Sequence, residues 1–236
     1  MRPARHTVTL VLLPGMDGTG TLFAPFIAAL GVTVKTVVVR YPPQGALDYP
    51  ACEALARQAL PLRGRFVILG ESFSGPVAIS LAASQPKGLM GLVLCATFAS
   101  NPYPIFKPFA NLTRLLPIKA APASAMGLGL LGRFATPELL AALQSALAAV
   151  STTALHARMR AVLSVDVHDQ LRDVAVPALY LRAAHDRVVP ARAAQHIGHV
   201  CSQATIVDID APHFILQAAP GPAADAVQTF LHAIAA

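Results

Sequence analysis

FVILGESFSG, residues Phe66 to Gly75, is the stretch on which the reading of this chain turns. Four apolar residues without polar alternation suit a strand buried on both faces of a sheet. The glycines and serines that follow, with Pro76 behind them, suit a sharp turn into a helix, because proline fits a helix's first turn. Ser72 is then either the N-cap of that helix or a nucleophile held on a strained elbow with its Oγ facing outward. An elbow needs small residues two before and two after the nucleophile. Gly70 and Ser74 meet that demand for Ser72. Ser74 would instead be flanked by Ser72 and the Pro76 ring, a much worse fit. The pattern is G-x-S-x-S-G, a departure from the usual G-x-S-x-G at its last position.

Outward from this stretch, short apolar runs alternate with alanine-rich helical patterns. Strands are predicted at Thr7–Leu13, Val34–Arg40, Arg65–Leu69, Leu89–Cys95, Pro177–Arg182 and Thr205–Ile209. Helices are predicted at Thr21–Leu30, Tyr49–Leu60, Gly75–Gln85, Arg192–Gly198 and Phe214–Ala236. Such alternation gives an α/β fold of about six mostly parallel strands flanked by helices on both faces. Residues 100–173 break the rhythm. They open with the proline-rich NPYPIFKPF, carry no convincing strand, and include helices with Thr136 as N-cap and over Thr153–Leu163. They read as an all-helical cap inserted in a core made of residues 1–99 and 174–236.

Composition narrows the function. Of 236 residues, 55% are hydrophobic and 13% charged, which excludes disorder. The formal charge of +6 is scattered and leaves no nucleic-acid footprint. Cys52, Cys95 and Cys201 form no CxxC, so neither a disulfide framework nor a zinc site is expected, and a cytoplasmic, reducing setting fits. The N-terminus resembles a signal peptide in its arginines and apolar core. That core is short and runs into Pro14-Gly15 with no small-residue cleavage site, so a strand is the preferred reading. No apolar run reaches membrane-spanning length.

A nucleophilic serine needs a base, a carboxylate behind the base, and donors for the oxyanion. LLPGMDGTG, Leu12 to Gly20, follows the first strand and can turn backbone N–H groups inward, or can be an ordinary turn and helix start. Met16 N–H and Phe73 N–H are the candidate oxyanion donors. Among eight histidines, His213 lies just beyond the last strand, on the sheet edge where Ser72 must sit. Asp186, after the penultimate strand, is the best-placed acid. Asp208, Asp210 and Asp166 are the other contenders, and His185 beside Asp186 is read as incidental. The chain order Ser72, Asp186, His213 differs from the orders of the chymotrypsin and subtilisin types.

On these four segments (LVLLPGMDGTG, FVILGESFSG, PALYLRAAHDRVVP and APHF) the sequence resembles an α/β-hydrolase over its whole length. Within that superfamily it is similar to small bacterial carboxylesterases, including the pimeloyl-carrier-protein methyl ester esterases. It departs from them at Pro14-Gly15, where His-Gly is common, and at Ser74; a start directly at the strand before the oxyanion loop, without the leading hairpin of larger members, is expected. The resemblance implies a serine esterase acting through an acyl-enzyme on short- to medium-chain acyl esters, without metal or organic cofactor. A thioesterase or acyltransferase with the same triad, or a non-catalytic ligand- or partner-binding protein of this fold, are the alternatives. Phe106, Phe109, Leu128, Leu130 and Phe134 either pack the cap or line an acyl pocket. Arg114, Arg133, Arg158 and Arg160 are read as solvated; the alternative is that they attract an acyl carrier protein or an anionic acyl tail. A monomer or homodimer is expected.

Overall fold

Six strands of four to seven residues form the centre of the computed structural model, which describes residues 8–115, 127 and 129–235. They are β1 (Thr9–Leu13), β2 (Lys35–Val38), β3 (Phe66–Glu71), β4 (Leu89–Cys95), β5 (Ala178–Ala183) and β6 (Ala204–Ile209). Their order is β2-β1-β3-β4-β5-β6, and every pairing is parallel. Parallel neighbours require crossovers, and the helices supply them. The first helices are α1 (Ala24–Leu30), preceded by a 3-10 turn at Thr21–Phe23, then α2 (Tyr49–Gln58) and α3 (Gly75–Ala83). Helices α4 (Pro137–Ala148), α5 (Thr152–Ser164) and α6 (His168–Arg172) lie between β4 and β5. The chain closes with α7 (Ala191–Val200), α8 (Ile215–Ala218) and α9 (Pro220–Ala235).

Side chains alternate along each strand, so the sheet has a core on each face. Val11, Leu13, Phe66 and Ile68 join Cys52 and Ala56 of α2 and Val77 and Leu81 of α3 on one face. Leu10, Leu12, Val67 and Leu69 join Phe26, Ile215, Ala223 and Val227 from α1, α8 and α9 on the other. The central strands β1 and β3 are buried throughout, which is why they read as continuous apolar runs.

The sequence-based boundaries hold to within two or three residues, and β4 coincides with its predicted range. Thr7, Leu128 and Ala236 lie outside the described residues. The expected helix over Phe214–Ala236 is two helices, because Pro220 cannot continue α8 and instead starts α9. NPYPIFKPF leads into a 3-10 helix over Pro104–Leu115 with Pro108 inside it. Thr136 caps α4 as predicted, its hydroxyl accepting from Leu139 N–H at 3.3 Å. Between β4 and β5 the described residues add only one isolated bridge, Ser100 with Asp166.

All three cysteines are buried and free. Burial pushes the Cys52 thiol up to about 11 and raises those of Cys95 and Cys201. Among the described residues no single helix is long and apolar enough to cross a membrane.

Candidate active site

Ser72 stands at the carboxyl end of β3 with φ 48°. A non-glycine residue at positive φ is strained, and the strain is the mark of an elbow. The turn is tight: a Cβ on Gly70 would lie 2.6 Å from Ala78 Cβ and 2.8 Å from the Ser74 carbonyl oxygen. The Ser72 carbonyl accepts from the Thr97 hydroxyl, and Thr97 in turn is held by Tyr180, whose hydroxyl donates to the Thr97 carbonyl at 2.7 Å.

Three loops meet at this edge of the sheet. His213 Nε2 lies 2.8 Å from Ser72 Oγ. His213 Nδ1 lies 2.9 Å from Asp186 Oδ2. The Asp186 and His213 side chains are 7% and 6% exposed, so this pair is shielded from competing water. The other Asp186 oxygen accepts from the N–H groups of Val188 and Val189 at 2.7 and 2.8 Å, which fixes the carboxylate's orientation. A carboxylate only accepts, so Nδ1 carries the imidazole proton, and Nε2 is left to accept from the serine hydroxyl. The rival acids sit elsewhere. Asp208 pairs with Arg182, Asp210 with Arg133 and His185, and Asp166 accepts from His168 N–H. His185 thus points away from the Ser72 edge pair, as neighbouring loop residues usually do.

Met16 is half-buried in the loop after β1, and Phe73 follows the serine. The loop is tied down on every side. Gly18 N–H closes a turn onto the Gly15 carbonyl at 3.0 Å, and the Asp17 carboxylate accepts from Thr19 N–H at 2.9 Å. The Ser74 hydroxyl donates to the Pro14 carbonyl and meets the Tyr41 hydroxyl at 2.9 Å.

The structure adds one residue to the site that the sequence reading does not single out and corrects the reading of another. The first is Glu71, 6% exposed, directly before the serine. Gln217 Nε2 donates to it at 2.9 Å, and the Gly15 N–H hydrogen-bonds it. Burial pushes its carboxyl up to about 7 against those hydrogen bonds. A carboxylate between a buried strand and an elbow was the available signal. The second is Arg158. It was expected to be solvated; it is 0% exposed, and its guanidinium donates to main-chain carbonyls in two loops. Of the other arginines, Arg133 and Arg160 are exposed as expected, and the Arg114 side chain lies outside the described residues. Phe106 and Phe109 are each 52% exposed and so do not line an enclosed pocket, whereas Leu130 and Phe134 are half-buried.

An apolar cavity of about 200 Å³ adjoins the site, lined by Leu22, Leu131, Leu139, Leu143, Phe214 and Gln217 among others. Phe214 follows His213, and Gln217 is bonded to the residue before Ser72, so two of the lining residues connect the cavity to the residues around Ser72. Gln217 Oε1 is buried there without a partner. A larger cavity of about 360 Å³ lies between α2, α3 and α5. Ser72, Asp186 and His213 line neither cavity, but the smaller one is lined by Phe214, next to His213, and by Gln217, bonded to Glu71.

The sequence pattern of the family described as "Serine aminopeptidase, S33" (Hydrolase_4) matches residues 50–210, and the chain belongs to this family. It is a hydrolase of the α/β-hydrolase fold. A solved thermophilic esterase from Thermogutta terrifontis superposes with a TM-score of 0.83 at 20% identity, over 97% of this chain and 91% of that one. The enol-lactonase from Burkholderia xenovorans LB400 gives 0.81 at 19% identity, over 96% and 92%. Both likenesses show the fold. Among curated proteins, phytyl ester synthase 1, chloroplastic, from Arabidopsis thaliana is 29% identical over 122 residues. That match covers 49% of this chain and 17% of the relative.

Proposed function

We propose that this chain is a serine carboxylic ester hydrolase acting through an acyl-enzyme, with Ser72 as nucleophile, His213 as base and Asp186 as the orienting acid. The observation that carries the reading is the continuous contact from Ser72 Oγ through His213 to Asp186 Oδ2, at 2.8 and 2.9 Å, behind a serine at φ 48°. His213 Nε2 takes the serine proton as Oγ attacks the ester carbonyl. The oxyanion forms between Met16 N–H and Phe73 N–H, a pair of donors of the kind whose individual loss typically costs about 100-fold or more. The imidazolium, stabilised by Asp186, then protonates the leaving alcohol. Water, deprotonated by His213, attacks the acyl-enzyme, and the serine is regenerated.

The apolar cavity favours an ester with a compact aliphatic tail. At about 200 Å³ it exceeds the roughly 150 Å³ apolar cavity that accommodates benzene, and it is too small for a long acyl chain. Residues 100–173 act in this reading as a cap, since Leu131, Leu139 and Leu143 form one wall. The curated relative is named an ester synthase, so acyl transfer to an alcohol is the second reading.

The test is a panel of p-nitrophenyl esters of increasing acyl length, with and without added alcohol, together with an amino-acid p-nitroanilide. Wild type should turn over the short and medium esters and Ser72→Ala none of them. A new ester formed from the added alcohol would favour transfer; preferential cleavage of the anilide, or labelling of a residue other than Ser72 by a fluorophosphonate, would overturn the esterase reading.

A further inference from the structure

Arg158 is the largest fully buried side chain of the molecule's described part, and its charge faces no carboxylate in direct hydrogen-bonding contact. It projects from α5 into the junction of two loops. Nη1 donates to the Met16 carbonyl at 2.9 Å and to the Asp17 carbonyl at 2.8 Å; Nη2 donates to the Pro42 carbonyl at 2.9 Å. The guanidinium lies against Tyr41, 5.8 Å from its ring centre. The loop is shaped to admit it. Gly18 has φ 70°, and a Cβ there would come within 2.7–3.0 Å of the guanidinium. At the start of α5, the N–H of its N-cap Ser151 donates to the Pro43 carbonyl at 2.8 Å, so the helix grips the loop after β2 twice. Burying a guanidinium is costly, and a side chain that packed the same space without charge would cost less. Its fork geometry, however, is suited to holding several oxygens at once.

We propose that Arg158 is a positioning residue for the reaction: by holding the Met16 and Asp17 carbonyls, it sets the peptide planes of the loop after β1 and so aims Met16 N–H at the developing oxyanion. This rests on the esterase reading given above. Met16 N–H shares a rigid plane with the Gly15 carbonyl, which accepts from Gly18 N–H at 3.0 Å. With Arg158 holding the next two planes at the Met16 and Asp17 carbonyls, the whole turn that carries this amide is fixed from both sides. The donor is then in place before the substrate arrives, which is the condition for an oxyanion donor to lower a barrier. Because α5 belongs to the segment that also walls the cavity, the same arginine ties that segment to the oxyanion loop.

The experiment compares wild type, Arg158→Met and Arg158→Lys in kcat, KM and thermal midpoint, with amide hydrogen exchange of residues 15–19 followed in parallel. Arg158→Met should lower kcat by about tenfold to a hundredfold, with KM changed by less than about threefold, and should speed exchange in residues 15–19. Arg158→Lys, which keeps a cationic donor group without the guanidinium fork, should recover part of kcat. If Arg158→Met does not fold, Arg158→Lys alone reads the effect through its kcat and its exchange. A lowered thermal midpoint with kcat and loop exchange unchanged would overturn the proposal and leave Arg158 as packing only. Failure of the esterase reading is told apart by the wild-type control: no Ser72-dependent turnover in the parent sinks that reading, and loop exchange still tests the arginine's hold on the loop.

Discussion

The Ser74 hydroxyl donates to the Pro14 carbonyl, joining the turn that carries Ser72 to the loop that carries Met16. Ser74 is where the turn departs from G-x-S-x-G, and Pro14 opens the glycine-rich loop after β1, so these two segments are bonded to each other. With its one proton committed to Pro14, Ser74 Oγ accepts from Tyr41 O–H at 2.9 Å. Ser74→Ala should therefore strand a buried hydroxyl and a buried carbonyl. The expected loss is about 1–3 kcal/mol in urea-monitored stability, with a fall in kcat as the two loops loosen. Unchanged stability would mean the hydroxyl is dispensable there.

Asp186→Asn should lower kcat by roughly 10³–10⁴-fold with little change in fold. An amide can donate to Nδ1 and so favours the tautomer with its proton on Nε2, where it cannot accept from Ser72. Asp210→Asn, by contrast, should leave turnover within about twofold, since Asp210 pairs with exposed Arg133 and His185. Equal losses in the two variants would mean the acid is misassigned.

Glu71 gives a pH dependence whose sign can be worked out. Burial pushes its carboxyl up to about 7 in the folded chain, from an ordinary 4.5. The native state therefore holds this proton where the unfolded chain has lost it. The group's stabilisation, relative to the ionised form, is present below about pH 4.5, declines between about 4.5 and 7, and changes no further above. Across that window the effect is of order 3 kcal/mol at most. Glu71→Gln should flatten the stability–pH curve there and gain on wild type as pH rises from 5 to 8. Parallel curves for the two proteins would show that Glu71 does not titrate as described.

If the acyl tail enters the cavity lined by Leu143 and Phe214, as proposed, its length is limited by the volume of that cavity. Leu143→Trp should fill much of it, so kcat/KM for hexanoate should fall well below that for acetate, by about tenfold or more for each pair of displaced methylenes. A uniform loss across the panel would indicate general damage, and no loss would put the tail elsewhere.

Much of this architecture could be read along the chain because its physics is local. Strands such as β1 and β3 are buried on both faces and announce themselves as apolar runs, and Thr136 announces the start of α4. Ser72, Asp186 and His213 were legible because each follows a strand at its carboxyl end, so chain order alone puts them on one edge. Pro220 carried a signal for the break between α8 and α9 that the long alanine-rich pattern obscured. Arg158 left no such trace. Its acceptors are main-chain carbonyls, which every residue possesses, so no partner residue type marks them out. Ser74 showed only as a deviation in a motif; its role was hidden because its partner is likewise a backbone oxygen 60 residues away.

The three sequestered sulfhydryls make the molecule convenient to instrument. Alkylating reagents attack thiolates, and burial disfavours that form at Cys52, Cys95 and Cys201. A thiol introduced at a fully solvent-facing position such as Val32, through Val32→Cys, would be the single handle that a maleimide dye finds on the native protein. Fluorescence probes and surface tethers can then be attached at one chosen point without first removing any native sulfur.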